Sequence, residues 1–274
     1  MKHKRLFFTI IIVFYIVVVV LCLAFLFSVK KVDAVYNAVT NSEKYLEVEK
    51  KLSSYEGKNL LFVNTSKIKQ NLQKDPYIIV KSVKKDFPNK IKVEIEERQE
   101  IFIIESDLKR FYLDKNFYVL KVEDKQSTLL NNQLILLNVS NYKNFDYATL
   151  NTHSVVTQID GWIKNSITEM INIFTDWKNI LGGIEVTGTN DILGYNIYFE
   201  TRQGLVIEVK DPNIGYNENN EPIYKEPSDT EGIDIIRKVY EKYSTISDDE
   251  KTKGKLLVTK QQDGTITVVH STRG

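Results

Sequence analysis

Ser66-Lys67-Ile68-Lys69 places a serine three residues before a lysine, the spacing at which a lysine amine can take the proton of an acylating serine hydroxyl. Chemistry of that kind would be acyl transfer, as in the serine transpeptidases. The same spacing recurs at Ser28, Ser82, Ser106 and Ser140, and the SDN and KTG elements that accompany it in transpeptidases are missing, so it reads as a product of lysine abundance. A thiol nucleophile is excluded more firmly, because the single cysteine, Cys22, lies inside an apolar run. The three histidines, His3, His153 and His270, form no HExxH or other metal-ligand spacing. Asp211-Pro212-Asn213-Ile214-Gly215-Tyr216-Asn217 has the oxygen-rich look of a calcium loop. Its glycine comes one place early, however, and Pro222 occupies the twelfth position where a glutamate is needed. Glu94, Glu96 and Glu97 alternate with apolar residues, as on the solvated face of a strand, and Trp162, Phe174 and Trp177 recur at helical spacing, as in a packed helix face. The sequence therefore predicts no catalytic residue, no metal site and no cofactor.

What remains is a chain built to hold surfaces in place. Its 274 residues carry 37 Lys and Arg against 36 Asp and Glu, a balance that offers no global basic field for nucleic acid. With one cysteine no internal disulfide can form, so folding rests on burial. Leu6 to Val29 is a run of about 24 residues without a charge, long enough at ~1.5 Å per residue to cross a hydrocarbon core of ~30 Å. It ends in Leu26-Phe27-Ser28-Val29, which lacks the small residues of a signal-peptidase site, and is read as an uncleaved anchor in contact with lipid. Lys2, Lys4 and Arg5 favour a cytoplasmic N-terminus, leaving the bulk of the chain outside.

The remaining periodicities predict an α+β fold in two domains, residues 30–104 and 105–274, behind a tail at 1–5 and a span at 6–29. In the first, a strand near Lys31 to Val39 precedes a helix capped by Thr40 with Glu43, whose inner face is Tyr45, Val48, Leu52 and Tyr55, ending at Gly57. A short helix capped by Thr65 or Ser66 carries Ile68 and Leu72 inward and stops before Pro76. A hairpin follows: Tyr77 to Lys84, a turn at Phe87-Pro88-Asn89, then a strand in which Ile91, Val93 and Ile95 alternate with Lys92, Glu94 and Glu96. The order is β-α-α-β-β.

In the second domain, two strands meet at Asp114-Lys115-Asn116, and Gln133 to Val139 forms another. A helical pattern covers Ser154 to Leu181, interrupted by Gly161. Strands return at Ile184 to Val186, Gly194 to Thr201 and Gly204 to Lys210, and Asp211 to Asp229 reads as a long exposed loop. A helix over Gly232 to Tyr243 precedes a closing hairpin, Lys255 to Gln261 and Thr265 to Ser271, turning at Asp263-Gly264. The last strand has one edge that the chain's own order need not pair. Ile266, Val268 and His270 lie on one of its faces, and Thr265, Thr267 and Val269 on the other.

This order of parts resembles the FtsQ/DivIB family of bacterial cell-division proteins. The resemblance is carried by Gly57-Lys58-Asn59-Leu60-Leu61-Phe62-Val63, Pro76-Tyr77-Ile78, Val83-Lys84-Lys85, Phe87-Pro88, Ile91 through Glu97-Arg98, and Phe111-Tyr112-Leu113-Asp114. The chain departs from the family pattern at Glu100, where a proline is common, and in the long segment from Asp211 to Asp229. The resemblance implies a single span, a POTRA domain marked by Pro76, Tyr77, Phe87, Pro88, Glu97 and Arg98, and a β-rich domain with packed helices. It also implies a non-enzymatic divisome scaffold at the septum that supports septal peptidoglycan synthesis and binds bitopic partners of the FtsB/DivIC and FtsL types outside the membrane. Thr265, Ile266, Thr267, Val268, Val269, His270 and Ser271 would take up a partner segment by strand addition. No nucleic acid and no small-molecule substrate is implied. The other reading of the residues is an anchored extracytoplasmic sensor, with the Trp162 to Trp177 helix and the Asp211 loop forming a ligand pocket.

Overall fold

Helix α1, Lys2–Leu26, contains the apolar run as far as Leu26, and Phe7–Leu26 is long and apolar enough to cross a membrane. The computed structural model describes residues 2–37, 42–125, 133–143, 145–188, 194–216, 222–224, 228, 230–261 and 263–272. The helix stops three residues before the predicted end of the span. Backbone pairing is the reason: Val29 donates to the Lys58 carbonyl at 2.8 Å and accepts from Gly57 at 2.8 Å, while the Phe27 carbonyl accepts from Leu60 at 2.7 Å. Val29 is thereby buried in the core of the domain that follows.

Two units follow from the contacts, residues 1–98 and 99–274. The first contains, after α1, β1 (Lys31–Asn37), α2 (Ser42–Ser53), α3 (Thr65–Leu72), β2 (Ile78–Asp86) and β3 (Lys90–Glu97). The β-α-α-β-β order is as expected. The sheet order β1-β3-β2 makes β3 central, parallel to β1 and antiparallel to β2. Its Ile91, Val93 and Ile95 are buried, with Val48 and Leu52 of α2 and Ile68 and Leu72 of α3 in the same core. Thr40 lies outside the described residues. The cap of α3 is Asn64 rather than Thr65 or Ser66: its side-chain oxygen accepts from Lys67 N at 3.1 Å.

The second unit is built on one nine-stranded sheet. Its elements are β4 (Phe102–Glu105), β5 (Lys109–Leu113), β6 (Val119–Asp124), β7 (Ile135–Asn138), α4 (Gly161–Ile173), α5 (Trp177–Ile180), β8 (Leu181–Gly188), β9 (Tyr195–Thr201) and β10 (Val206–Val209). Then come β11 (Ile214–Tyr216), β12 (Pro222–Tyr224), α6 (Glu231–Thr245), β13 (Lys255–Lys260) and β14 (Ile266–Ser271). The strand order is β14-β13-β10-β9-β8-β7-β4-β5-β6.

Three boundaries differ from the sequence reading. Phe102 to Ile104, assigned above to the first domain, are all buried and pair with β5 and β7, so the second unit starts at Gln99. An unbroken apolar triplet suits an inner strand with both faces covered. The helical pattern from Ser154 begins only at Gly161, because Val155 bridges Tyr118 and Val156 donates to the Phe117 carbonyl, which draws this stretch to the sheet. The segment after Val209 is not simply exposed: Asp211 and Asn213 are buried, and β11 and β12 form a small antiparallel hairpin.

Helices α4 and α6 touch closely at Gly232. A Cβ there would collide with Ser166 Oγ and with the Trp162 carbonyl that Ser166 Oγ already bonds at 2.8 Å. An open helical site would gain up to ~1 kcal/mol from Gly→Ala. Here Gly232→Ala is expected to lose ~1–3 kcal/mol in denaturant unfolding, because overpacking outweighs propensity. A gain in midpoint would contradict this packing.

Candidate functional site

A strand at the margin of a sheet offers alternate backbone N–H and C=O groups to whatever lies beside it. β14 is that strand in the second unit, paired only to β13 in the sheet order, with Leu257 opposite Val269 and Thr259 opposite Thr267. At the turn, Gln261 N–H donates to the Thr265 carbonyl at 2.8 Å. Hydrogen-bonded and non-hydrogen-bonded pairs alternate along an antiparallel ladder, so Thr265, Thr267, Val269 and Ser271 face β13 with their backbone groups. Ile266, Val268 and His270 then direct theirs to the open side.

Side chains hold the strand in this register. Ile266 and Val268 pack on the large core, while Val269 is 52% exposed on the opposite face. His270 Nδ1 lies 3.4 Å from Glu250 Oε1 and its Nε2 3.5 Å from the Lys253 carbonyl. The backbone N–H and the hydroxyl of Ser247 hold the Glu250 carboxyl below its ordinary range, with His270 adding to the effect. The turn differs from the two-residue form expected at Asp263-Gly264. Gly264, at φ +87°, donates to the Gln261 carbonyl at 3.0 Å, which with the Gln261–Thr265 bond makes a longer loop ending in a left-handed glycine.

The other margin of the sheet is partly covered. Val119, at the start of β6, donates to the Ser154 carbonyl at 2.8 Å and accepts from His153 at 3.0 Å. The loop that ends before α4 therefore covers the edge of β6 at its first residue. Nothing in the hydrophobic pattern of Asn151 to Val156 marks it as an edge cover.

The six marker residues of the first unit fall into two places. Pro76 and Tyr77 meet Glu97 and Arg98 where the hairpin begins and ends: Ile78 pairs with Glu97, and Arg98 N–H donates to the Tyr77 carbonyl at 2.8 Å. Phe87 and Pro88 form the turn at its far end, with the Phe87 ring edge-on to Phe27 at 6.0 Å. They are fastenings of the hairpin and converge on no common point.

The residues weighed for chemistry take other roles. Ser66 and Lys67 are exposed at the start of α3. Glu96 pairs with Lys81 at 2.5 Å, and Glu94 accepts from Asn37 and Ser82. Trp162 and Phe174 are core side chains. Asp211 accepts from Tyr195 N at 3.0 Å and from Asn213 N and Nδ2 at 2.9 and 2.8 Å, and burial pushes its carboxyl up despite these bonds. It is spent on fixing its own turn, and the rest of that segment lies partly outside the described residues. No group of three or more metal-binding side chains occurs among the described residues. A groove of about 600 Å³ between α2 and α3 is floored by Ile68 and Leu72, but its polar rim, Lys50, Lys51, Tyr55, Asn71 and Lys74, is at least partly exposed. That rim offers a ligand no desolvated anchor.

Comparison with known proteins gives three findings. The family profile described as "POTRA domain, FtsQ-type" matches residues 28–98, the first unit without its helix. The "Cell division protein DivIB" of Clostridium acetobutylicum is 27% identical over 210 residues, 76% of this chain and 77% of that protein. The protein of the same name from Clostridium tetani is 34% identical over 89 residues, 32% of each chain. A solved structure of the major extracytoplasmic domain of DivIB from Geobacillus stearothermophilus, trans isomer, aligns at 14% identity with a TM-score of 0.24. It covers 42% of this chain and 79% of that one, and at this score it adds no argument.

Gly254, at φ +86°, lets the end of β14 approach: a Cβ would collide with the Ser271 carbonyl. Gly254→Ala is expected to cost ~1–3 kcal/mol, through both the left-handed backbone and the displaced strand end. Thermal unfolding with an unshifted Tm would contradict this placement of β14.

Proposed function

We propose, for a chain whose residues 28–98 are an FtsQ-type POTRA domain and which is related to the DivIB cell-division proteins, that its second unit captures division partners by strand addition to β14. The relationship supports a role in cell division, and α1 fits a single membrane span with the folded units outside the cytoplasm. The finer reading is a scaffold without catalysis, working at the septum in support of peptidoglycan synthesis. Its partners are bitopic proteins of the FtsB/DivIC and FtsL types. The observation that carries it is the contrast between the two margins of the nine-stranded sheet: β6 is covered at its first residue by the loop before α4, whereas among the described residues β14 has β13 as its only strand neighbour.

Strand addition assigns distinct work to backbone and side chains. An incoming segment would bond to the N–H and C=O groups of Ile266, Val268 and His270, and would read the outward Val269 together with the rim of the sheet. Because the affinity comes from the backbone, side-chain truncation on the exposed face is expected to weaken capture only modestly.

Proline scanning separates the two sides of the strand. Val268→Pro removes an outward N–H without touching the ladder to β13, so it should weaken partner binding by ~10-fold or more relative to Val268→Ala, with a similar Tm. Thr267→Pro removes a ladder donor and should lower the Tm itself. Binding by Val268→Pro equal to that of Val268→Ala would overturn the reading.

A further inference from the structure

Polar chains usually keep large apolar side chains away from water, yet Phe62 is 86% exposed, Phe87 56% and Leu61 46%, all in the first unit. The three lie on two loops that the backbone fastens to the end of α1. Phe27 and Val29, the first residues beyond the helix, bond to Gly57, Lys58 and Leu60. Lys30 N–H donates to the Asn89 carbonyl at 2.9 Å, which ties the Phe87-Pro88-Asn89 turn to the same point. No linker separates the apolar helix from these loops.

Membrane geometry then decides what the patch faces. Phe7–Leu26 is 20 residues long, or ~30 Å at ~1.5 Å per residue, which matches one hydrocarbon core. If the helix spans, Leu26 reaches the outer boundary of that core, and the loops that the backbone ties to Phe27, Val29 and Lys30 follow just beyond it. Charge agrees with this placement. Residues 30–98 carry 15 Lys and Arg against 10 Asp and Glu, whereas residues 99–274 carry 19 against 26. Lys30 Nζ lies over the Phe25 ring at 5.9 Å, and Lys85 Nζ donates to the Leu61 carbonyl at 2.9 Å. Lys58 and Lys90 stand next in the chain to residues of the same junction.

We infer that Leu61, Phe62 and Phe87, with Lys30 over Phe25 and Lys85 on the Leu61 carbonyl beside them, form an interfacial foot that inserts into the outer headgroup layer of the same bilayer that α1 spans. Apolar side chains enter the acyl boundary while lysine stems snorkel to the phosphates, as at the interface-facing side of a membrane-surface helix. The foot would restrain the tilt of the first unit on the membrane, so that a single-span protein presents a fixed face rather than pivoting on its anchor.

The test uses the unaltered full chain in vesicles that contain phosphatidylglycerol and a trace of lipid with a photoactivatable diazirine near the headgroup. After irradiation and proteolysis, adducts are expected on the helix peptides and also on the peptides holding Leu61-Phe62 and Phe87. Phe62→Asp combined with Phe87→Asp should abolish the loop adducts and leave the helix adducts unchanged. Adducts confined to the helix in the unaltered chain would overturn the foot. Their absence from the helix as well would overturn the span and the foot together.

Discussion

Every backbone N–H and C=O taken from water needs a partner, and this requirement shapes both ends of the chain. At the N-terminal end the Phe27 carbonyl and both backbone groups of Val29 leave an apolar helix and are met at once by Leu60, Lys58 and Gly57. Membrane anchor and first domain are therefore joined without slack. At the C-terminal end β14 bonds to β13, and among the described residues its other side is a margin of the sheet. One end of the protein has its backbone groups met within the fold, and the other is a sheet margin where the proposed partner segment would add.

Much of this was legible in the sequence. Alternation in Lys90 to Glu97 marked a strand with one buried face, and the positions of Val48, Leu52, Ile68 and Leu72 marked the two helices that share its core. The resemblance to the FtsQ/DivIB family, read from short motifs in order, agrees with the profile match and with the DivIB relatives. What periodicity could not reveal were choices made by tertiary pairing. The parallel pairing of β1 with β3 is a contact between segments far apart in the chain. Val155 and Val156 fit a helical stripe as well as a bridge to Tyr118 and Phe117, and the neighbouring sheet decides between them. Val29 reads as one more membrane residue because its hydropathy is indifferent to whether lipid or a protein core surrounds it.

The candidate edge was visible in outline for a different reason. A terminal strand in a closing hairpin has one side that the hairpin leaves unpaired, but which backbone groups turn to that side depends on the phase of the ladder. The bond from Gln261 to Thr265 sets that phase, and the left-handed Gly264 sets the length of the loop that positions it. A one-residue slip would exchange the two sets of backbone groups and send Ile266 and Val268 away from the core. Packing of those two side chains thus fixes which backbone groups lie at the margin of the sheet.

The central claim is that a division partner extends the sheet at β14. Amide hydrogen exchange, resolved by residue on β14 with and without the extracytoplasmic part of an FtsB/DivIC-type partner, tests it most directly. The account predicts that Ile266, Val268 and His270 gain ~10-fold or greater protection on binding, while Thr267 and Val269, already bonded to β13, change less. Binding that leaves the exchange of Ile266, Val268 and His270 unaltered would contradict it.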